Sequence, residues 1–254
     1  MLKMNSLQIR LALTLLFILS VGQLRAQMVT DRPDQTESSV TVGGGNLQIE
    51  TGFFLGFEGD EQFSTRYILA PTTLFRYGIT EGVELRLLSQ FETRKLQDQV
   101  TQGISDLQVG AKIQIFKKEG VNAEIAFISH LLVPTGTAEM SNEHYGTINK
   151  LAISHELSEN MSLGYNLGYD YLGTGKGSLI YSLALGIEVT EKVGIFIEPF
   201  GALEEFEDFI MICDAGLTYL AKENFQLDFS FGTGINQRMN YISTGFCWKI
   251  EKDN

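Results

Sequence analysis

The 254-residue chain has two cysteines, four prolines and three histidines, and 19 basic side chains against 31 acidic ones. Each scarcity excludes something. Cys213 and Cys247 fall on opposite faces of non-adjacent strands when the alternation described below is followed, so they cannot meet in a disulfide. Three scattered histidines, His130, His144 and His155, with no cysteine cluster, offer no metal-ligand spacing, and no cofactor is implied. A formal charge of −12 leaves no electrostatic footprint for nucleic acid. Long apolar runs are also missing after the first 26 residues. Charges or glycines interrupt every later one, so no helix of about 20 apolar residues is available to cross a bilayer. A closed barrel can still cross, because it satisfies every backbone group internally. With only four prolines beside 26 glycines, and 44% hydrophobic residues, the chain is too apolar and too periodic for disorder.

The N-terminus reads as an export signal. Lys3 and Arg10 supply the positive region, Leu11 to Val21 the apolar region, and Ala26 the residue before the cut. The apolar run is too short to anchor as a membrane helix. Residues 1–26 are therefore expected to be removed, leaving residues 27–45 as a periplasmic N-terminal segment and 46–250 as the folded unit. Loss of Lys3, Arg10 and Arg25, with no acid, takes the net charge from −12 to −15.

That unit alternates strictly. In Leu163 to Tyr171 every odd position is Leu or Tyr and every even one Gly, Asn or Asp. Leu107 to Ile115, Leu179 to Val189 and Phe225 to Phe231 repeat the pattern. Period two over such lengths is the half-buried strand template. Twelve strands fit, punctuated by acidic turns at Thr80–Gly82, Lys118–Gly120, Ser158–Asn160, Thr190–Lys192 and Lys222–Asn224, with longer loops between them. Short turns at one end and long loops at the other mark an up-and-down antiparallel barrel of the outer-membrane type. Glycines and small residues sit on the polar side, where a crowded lumen needs them. Tyr67 and Tyr77, ten residues apart, are expected at the two aromatic girdles. An even strand count puts both termini, and the acidic turns, in the periplasm.

Parity then assigns the lumen. Its charged candidates are Arg66, Arg76, Glu84, Arg86, Asp106, Lys112, Glu124, Asp170, Glu188, Glu198, Asp214 and Asp228, with Glu50, Glu92, Glu156, Lys150 and Lys249 on the same face. Buried charges are costly unless paired, so a cross-linked polar core is one expectation. A selectivity lining is the other, and its excess of acids favours cations or neutral solutes. Nucleophilic catalysis needs a serine within hydrogen-bond reach of a histidine. Ser129 and Ser154 adjoin histidines in sequence and so point to the opposite face. No catalytic residue is assigned, although a lipid-facing pair involving His155 is left as the least favoured reading.

Ahead of the first strand, Asp31, Arg32, Pro33, Asp34 and Glu37 form a polar cluster in which Pro33 removes a donor. It is read either as a solvated leader, the weightier alternative, or as an insert that pairs with lumen charges. This Asp-Arg-Pro-Asp motif, the Thr36-Glu37-Ser38 step and the first strand Leu47-Gln48-Ile49-Glu50, together with Leu132-Val133-Pro134-Thr135-Gly136, resemble the outer-membrane barrel family labelled "Putative MetA-pathway of phenol degradation". The resemblance implies an outer-membrane location in a Gram-negative bacterium and uptake of small solutes, aromatic or hydrophobic compounds among them. Outer-membrane lipid, the barrel assembly machinery and a small-molecule solute are the expected partners. The last strand, Tyr241–Ile250, carries Phe246 and Trp248 but departs from a terminal aromatic by ending on Glu251-Lys252-Asp253-Asn254. A sealed structural or surface-interaction barrel is the alternative function.

Overall fold

The structure, a computed structural model, describes residues 28–59, 64–118 and 120–252; the expected signal lies outside them. Thirteen strand segments run in order: β1 Leu47–Gly59, β2 Ser64–Thr80, β3 Val83–Leu96, β4 Gln99–Ile104, β5 Leu107–Lys117, β6 Glu124–Val133, β7 Gly146–Ser158, β8 Met161–Tyr171, β9 Ser178–Thr190, β10 Val193–Glu204, β11 Asp208–Lys222, β12 Phe225–Gly234 and β13 Met239–Ile250. The inner half of β3 pairs with β5 and its outer half with β4. The two are consecutive lengths of one stave, interrupted at Ser105-Asp106, so the barrel has the expected twelve staves. All pairings are antiparallel between neighbours, and β1 closes the ring by pairing Leu47 with Ile250 and Glu58 with Met239. The ring closes through every stave, although β4 pairs with β3 alone, and a closed ring is the condition for placing strands in lipid.

The barrel is apolar outside and polar inside. Leu85, Val109, Leu131, Leu167, Phe229 and Ile242 are exposed, whereas Gln48, Glu50, Arg76, Glu84, Arg86, Lys112, Asn166, Glu198, Asp214 and Asp228 are buried. A water-soluble protein would reverse that distribution, while an outer-membrane barrel requires it. At one end, four connections are two residues long, at residues 81–82, 159–160, 191–192 and 223–224. The fifth, expected as a tight turn at Lys118–Gly120, spans residues 118–123.

Three local features depart from simple alternation. β2 carries one extra residue between Leu69 and Thr72 relative to both neighbours, a β-bulge at Ala70-Pro71. Beyond it the inside and outside positions exchange. Tyr67, expected at a girdle, faces the lumen, and Arg66, expected in the lumen, pairs with outward Phe57 and is exposed. The span from Arg94 to Gln102 is mostly strand, with a hairpin at Gln97-Asp98 in which Gln97 takes φ 55°. Finally, residues 28–46 run inside the barrel rather than ahead of it in the periplasm.

Candidate functional site: a lumen occupied by the N-terminal segment

The segment docks through its backbone as much as its side chains. Asp31 N–H donates to Glu50 (2.9 Å), Gln35 N–H to Glu198 (2.7 Å), Glu37 N–H to Asn166 (2.8 Å) and Val42 N–H to Glu84 (2.9 Å). An extended segment offers unpaired amides, and lumen carboxylates satisfy them. Thr36 bonds Ser182 and Glu198, and Ser39 bonds Ser154. The segment thus reaches staves on opposite sides of the ring, and Asp31, Pro33, Thr36, Ser39 and Val42 are buried.

Glycines make room for it. Gly52 of β1 lies directly opposite Gly245 of β13, and the Arg32 guanidinium rests on the platform they form. A Cβ at Gly52 would sit 2.4 Å from Arg32 Nη2 and 2.7 Å from the Thr244 carbonyl oxygen. A Cβ at Gly78 would sit 1.7 Å from the Gly43 carbonyl oxygen. Gly43 and Gly45 take φ +80° and +85°, the left-handed backbone that turns the segment out of the lumen into β1.

The lumen charges divide into two walls. The basic wall is built from β2, β3, β5 and β7. Arg76 and Arg86 stand directly opposite each other on β2 and β3, an arrangement that repels unless acids intervene. Glu84 bridges them at 2.9 Å and 2.8 Å, and Glu50 holds Arg76 at 2.9 Å. Asp31 of the segment meets Arg86 at 2.7 Å, Lys112 at 3.0 Å and Arg76 at 3.4 Å. Glu37 meets Arg86 at 2.9 Å and Lys150 at 2.8 Å. Four cations therefore face four anions, and the segment supplies two of the anions. Burial alone would raise the Asp31 and Glu37 carboxyls. The surrounding cations reverse this, holding Asp31 well below the usual range and Glu37 down at about 2.

The acidic wall lies across the lumen on β10, β11 and β12. Asp228 receives Arg32 at 3.0 Å, and Asp214 accepts a hydrogen bond from Tyr241. Glu198 is held by the amide of Gln35 and the hydroxyl of Thr36. Asp34 comes to this wall without a cation. Burial and the Glu198 carboxylate push its carboxyl well above the usual range. Among the described residues, the buried side-chain atoms with no hydrogen-bond partner are Asp170 Oδ1, Asp214 Oδ1 and Ser230 Oγ, on β8, β11 and β12.

Not every candidate lines the lumen. Asp106 lies between β4 and β5 and accepts from Gly136 N–H (2.9 Å) and Asn142 N–H (2.8 Å), so it latches the outer loop 134–145. Glu124, paired with Lys117 at 2.7 Å, and the exposed Glu188 lie at the turn-end rim. Asp170 faces the lumen from β8, at longer range from Lys150. Sequence reasoning did not single out His130, which is buried and accepts from Arg86 Nε at 2.9 Å. Its even position beside Ile128 and Leu132 was the available signal. His155 engages the Asn122 carbonyl oxygen and the Tyr165 hydroxyl rather than a serine. Cys213 and Cys247 are both free, and Cys247 is fully buried on the lumen face opposite Glu50.

Above the segment, towards the long loops, the lumen opens into a cavity of about 260 Å³. Phe54, Tyr67 and Leu69 line it, with Glu58, Gln90 and Glu92 as its polar groups. Tyr67 reaches it because of the bulge, and Phe54 stacks on Tyr241 at 4.9 Å.

The family model described as "Putative MetA-pathway of phenol degradation" matches residues 30–246. A search of curated proteins returns no match to the sequence. Among solved structures, an outer membrane channel from Pseudomonas putida F1 superposes with a TM-score of 0.69 at 11% identity, covering 84% of this chain and 98% of that one. The KdgM porin bound to oligogalacturonate gives 0.55 at 12% identity, covering 80% and 99%. The translocator domain of the autotransporter NalP from Neisseria meningitidis gives 0.51 at 10% identity, covering 95% and 98%. At these identities the likeness is one of fold.

Proposed function

The chain belongs to this outer-membrane barrel family, and on that premise we propose that it is a gated passive channel for small solutes. The observation that carries the reading is the nature of the obstruction. The turn-end half of the lumen is filled by the chain's own N-terminal segment, held by reversible ion pairs and hydrogen bonds, and not by inward growth of the wall. A segment held in this way can be displaced without unfolding the barrel. The cavity above it, lined by Phe54, Tyr67 and Leu69, suits small apolar or aromatic compounds. Apolar pockets with a few convergent polar groups are the usual form of a small-molecule site. Size and apolarity, more than the summed charge of the lumen, would then select the solute at the outer mouth.

A sealed structural barrel is the second reading, and the same paired core favours it. Uptake into liposomes carrying the refolded protein separates the two. Neutral, cationic and anionic solutes of graded size are offered. Uptake with a sharp size limit supports the channel. No uptake by a correctly folded barrel, in the native chain and in a variant whose segment is released, leaves the sealed reading standing.

A further inference from the structure

The geometry points to an anion-binding site on the basic wall, now occupied by the chain's own Asp31 and Glu37 and suited to solutes that carry one or two carboxylates. The wall supplies Arg76, Arg86, Lys112 and Lys150, and among the described residues the barrel's own acids within ion-pairing distance of them are Glu50 and Glu84. Four cations thus face two wall carboxylates, an excess of two positive charges. The segment delivers two carboxylates to that place, and Arg86 is shared between them through Nη1 to Asp31 and Nη2 to Glu37. Asp31 takes Lys112 Nζ on both of its oxygens, at 3.1 Å and 3.0 Å.

A guanidinium flanked by two ammonium groups, in a largely buried site, is general carboxylate-recognition chemistry. Removing the segment without replacing its anions would leave buried cations uncompensated, which is strongly unfavourable. A small carboxylate can therefore compete for the wall, and by competing it releases the segment. The inference deepens the channel reading and rests on it for its role in transport, but binding is measurable without flux.

The test is calorimetric titration of the full chain in detergent with benzoate, benzyl alcohol and benzylamine, three probes of one ring and differing charge. In D31N/E37Q, which keeps the shape of the segment but not its charge, benzoate should bind about tenfold more tightly than in the native chain, because the internal competitor is gone. Benzyl alcohol and benzylamine should not gain. Adding R86Q should abolish the gain. Benzoate binding no tighter than benzyl alcohol in D31N/E37Q would overturn the site. If D31N/E37Q does not fold, the native chain decides, with Cys213 replaced by alanine. Benzoate, but not chloride at equal ionic strength, should speed modification of the lumen-facing Cys247 by a small thiol reagent. An unchanged rate would overturn the site. Binding without uptake into liposomes would defeat the channel reading alone, and uptake without binding would defeat this inference alone.

Discussion

The two walls of the lumen hold the same segment in different ways. On the basic wall Arg76, Arg86 and Lys112 each meet at least two oxygens, Lys150 meets Glu37, and the segment's Asp31 and Glu37 complete a balanced network. On the acidic wall one ion pair, Arg32–Asp228, stands beside Asp34, which brings a further acid towards Glu198. The difference shows what a charge tally conceals. Counted together, the lumen is acidic; taken by wall, it is a basic face and an acidic face with a two-signed strap between them. The basic wall fixes the strap, and the acidic wall tolerates it.

The largest test of that contrast is Arg86→Ala. It removes the cation that Asp31, Glu37 and Glu84 all share in a buried network, and should cost about 3–5 kcal/mol in denaturant unfolding from micelles. On the acidic wall, Arg32→Ala removes a half-buried partner from one carboxylate and should cost about 1–3 kcal/mol. Equal losses from the two variants would erase the distinction. Gly78→Ala attacks the segment without touching a charge. The new Cβ collides with the backbone of Gly43, so the segment must shift, at about 1–3 kcal/mol, while β2 keeps its pairing with β3. Limited proteolysis within residues 28–42 should rise.

Acid separates the walls by sign, with the smallest effect. Glu37, held down at about 2, supports docking in full above its usual value of 4.5 and loses that support as the pH falls towards about 2. Asp34 is shifted the other way, so acidification relieves its penalty. Thermal midpoints taken from pH 7 to 3 should show mild strengthening before the loss, and Asp34→Asn should remove the strengthening only.

Much of this was legible in the sequence. Period-two alternation and spaced acidic turns specify twelve staves and which face is wet. That parity places Arg76, Glu84, Arg86, Lys112, Glu198, Asp214 and Asp228 inside. It failed at Arg66, because one extra residue at Ala70-Pro71 inverts every position beyond it. It misjudged Asp106 because that residue falls in the break between β4 and β5, and Glu124 and Glu188 because parity gives the face of a strand but not the height along the barrel. The docking of residues 28–46 was the least legible part. Arg32 meets Ser243 across 211 residues of sequence, and no local pattern reports such a contact. The signal that remained was the pair of lumen-facing glycines, Gly52 and Gly245, whose missing side chains leave space on neighbouring strands.

The most direct test of the account is conductance across planar bilayers, comparing the native chain with D31N/E37Q at neutral pH. A lumen sealed by its own segment predicts little or no current from the native chain and stepwise openings from the variant. Equal conductance in the two, whether both open or both silent, would contradict the claim that the carboxylates of the segment keep the barrel closed.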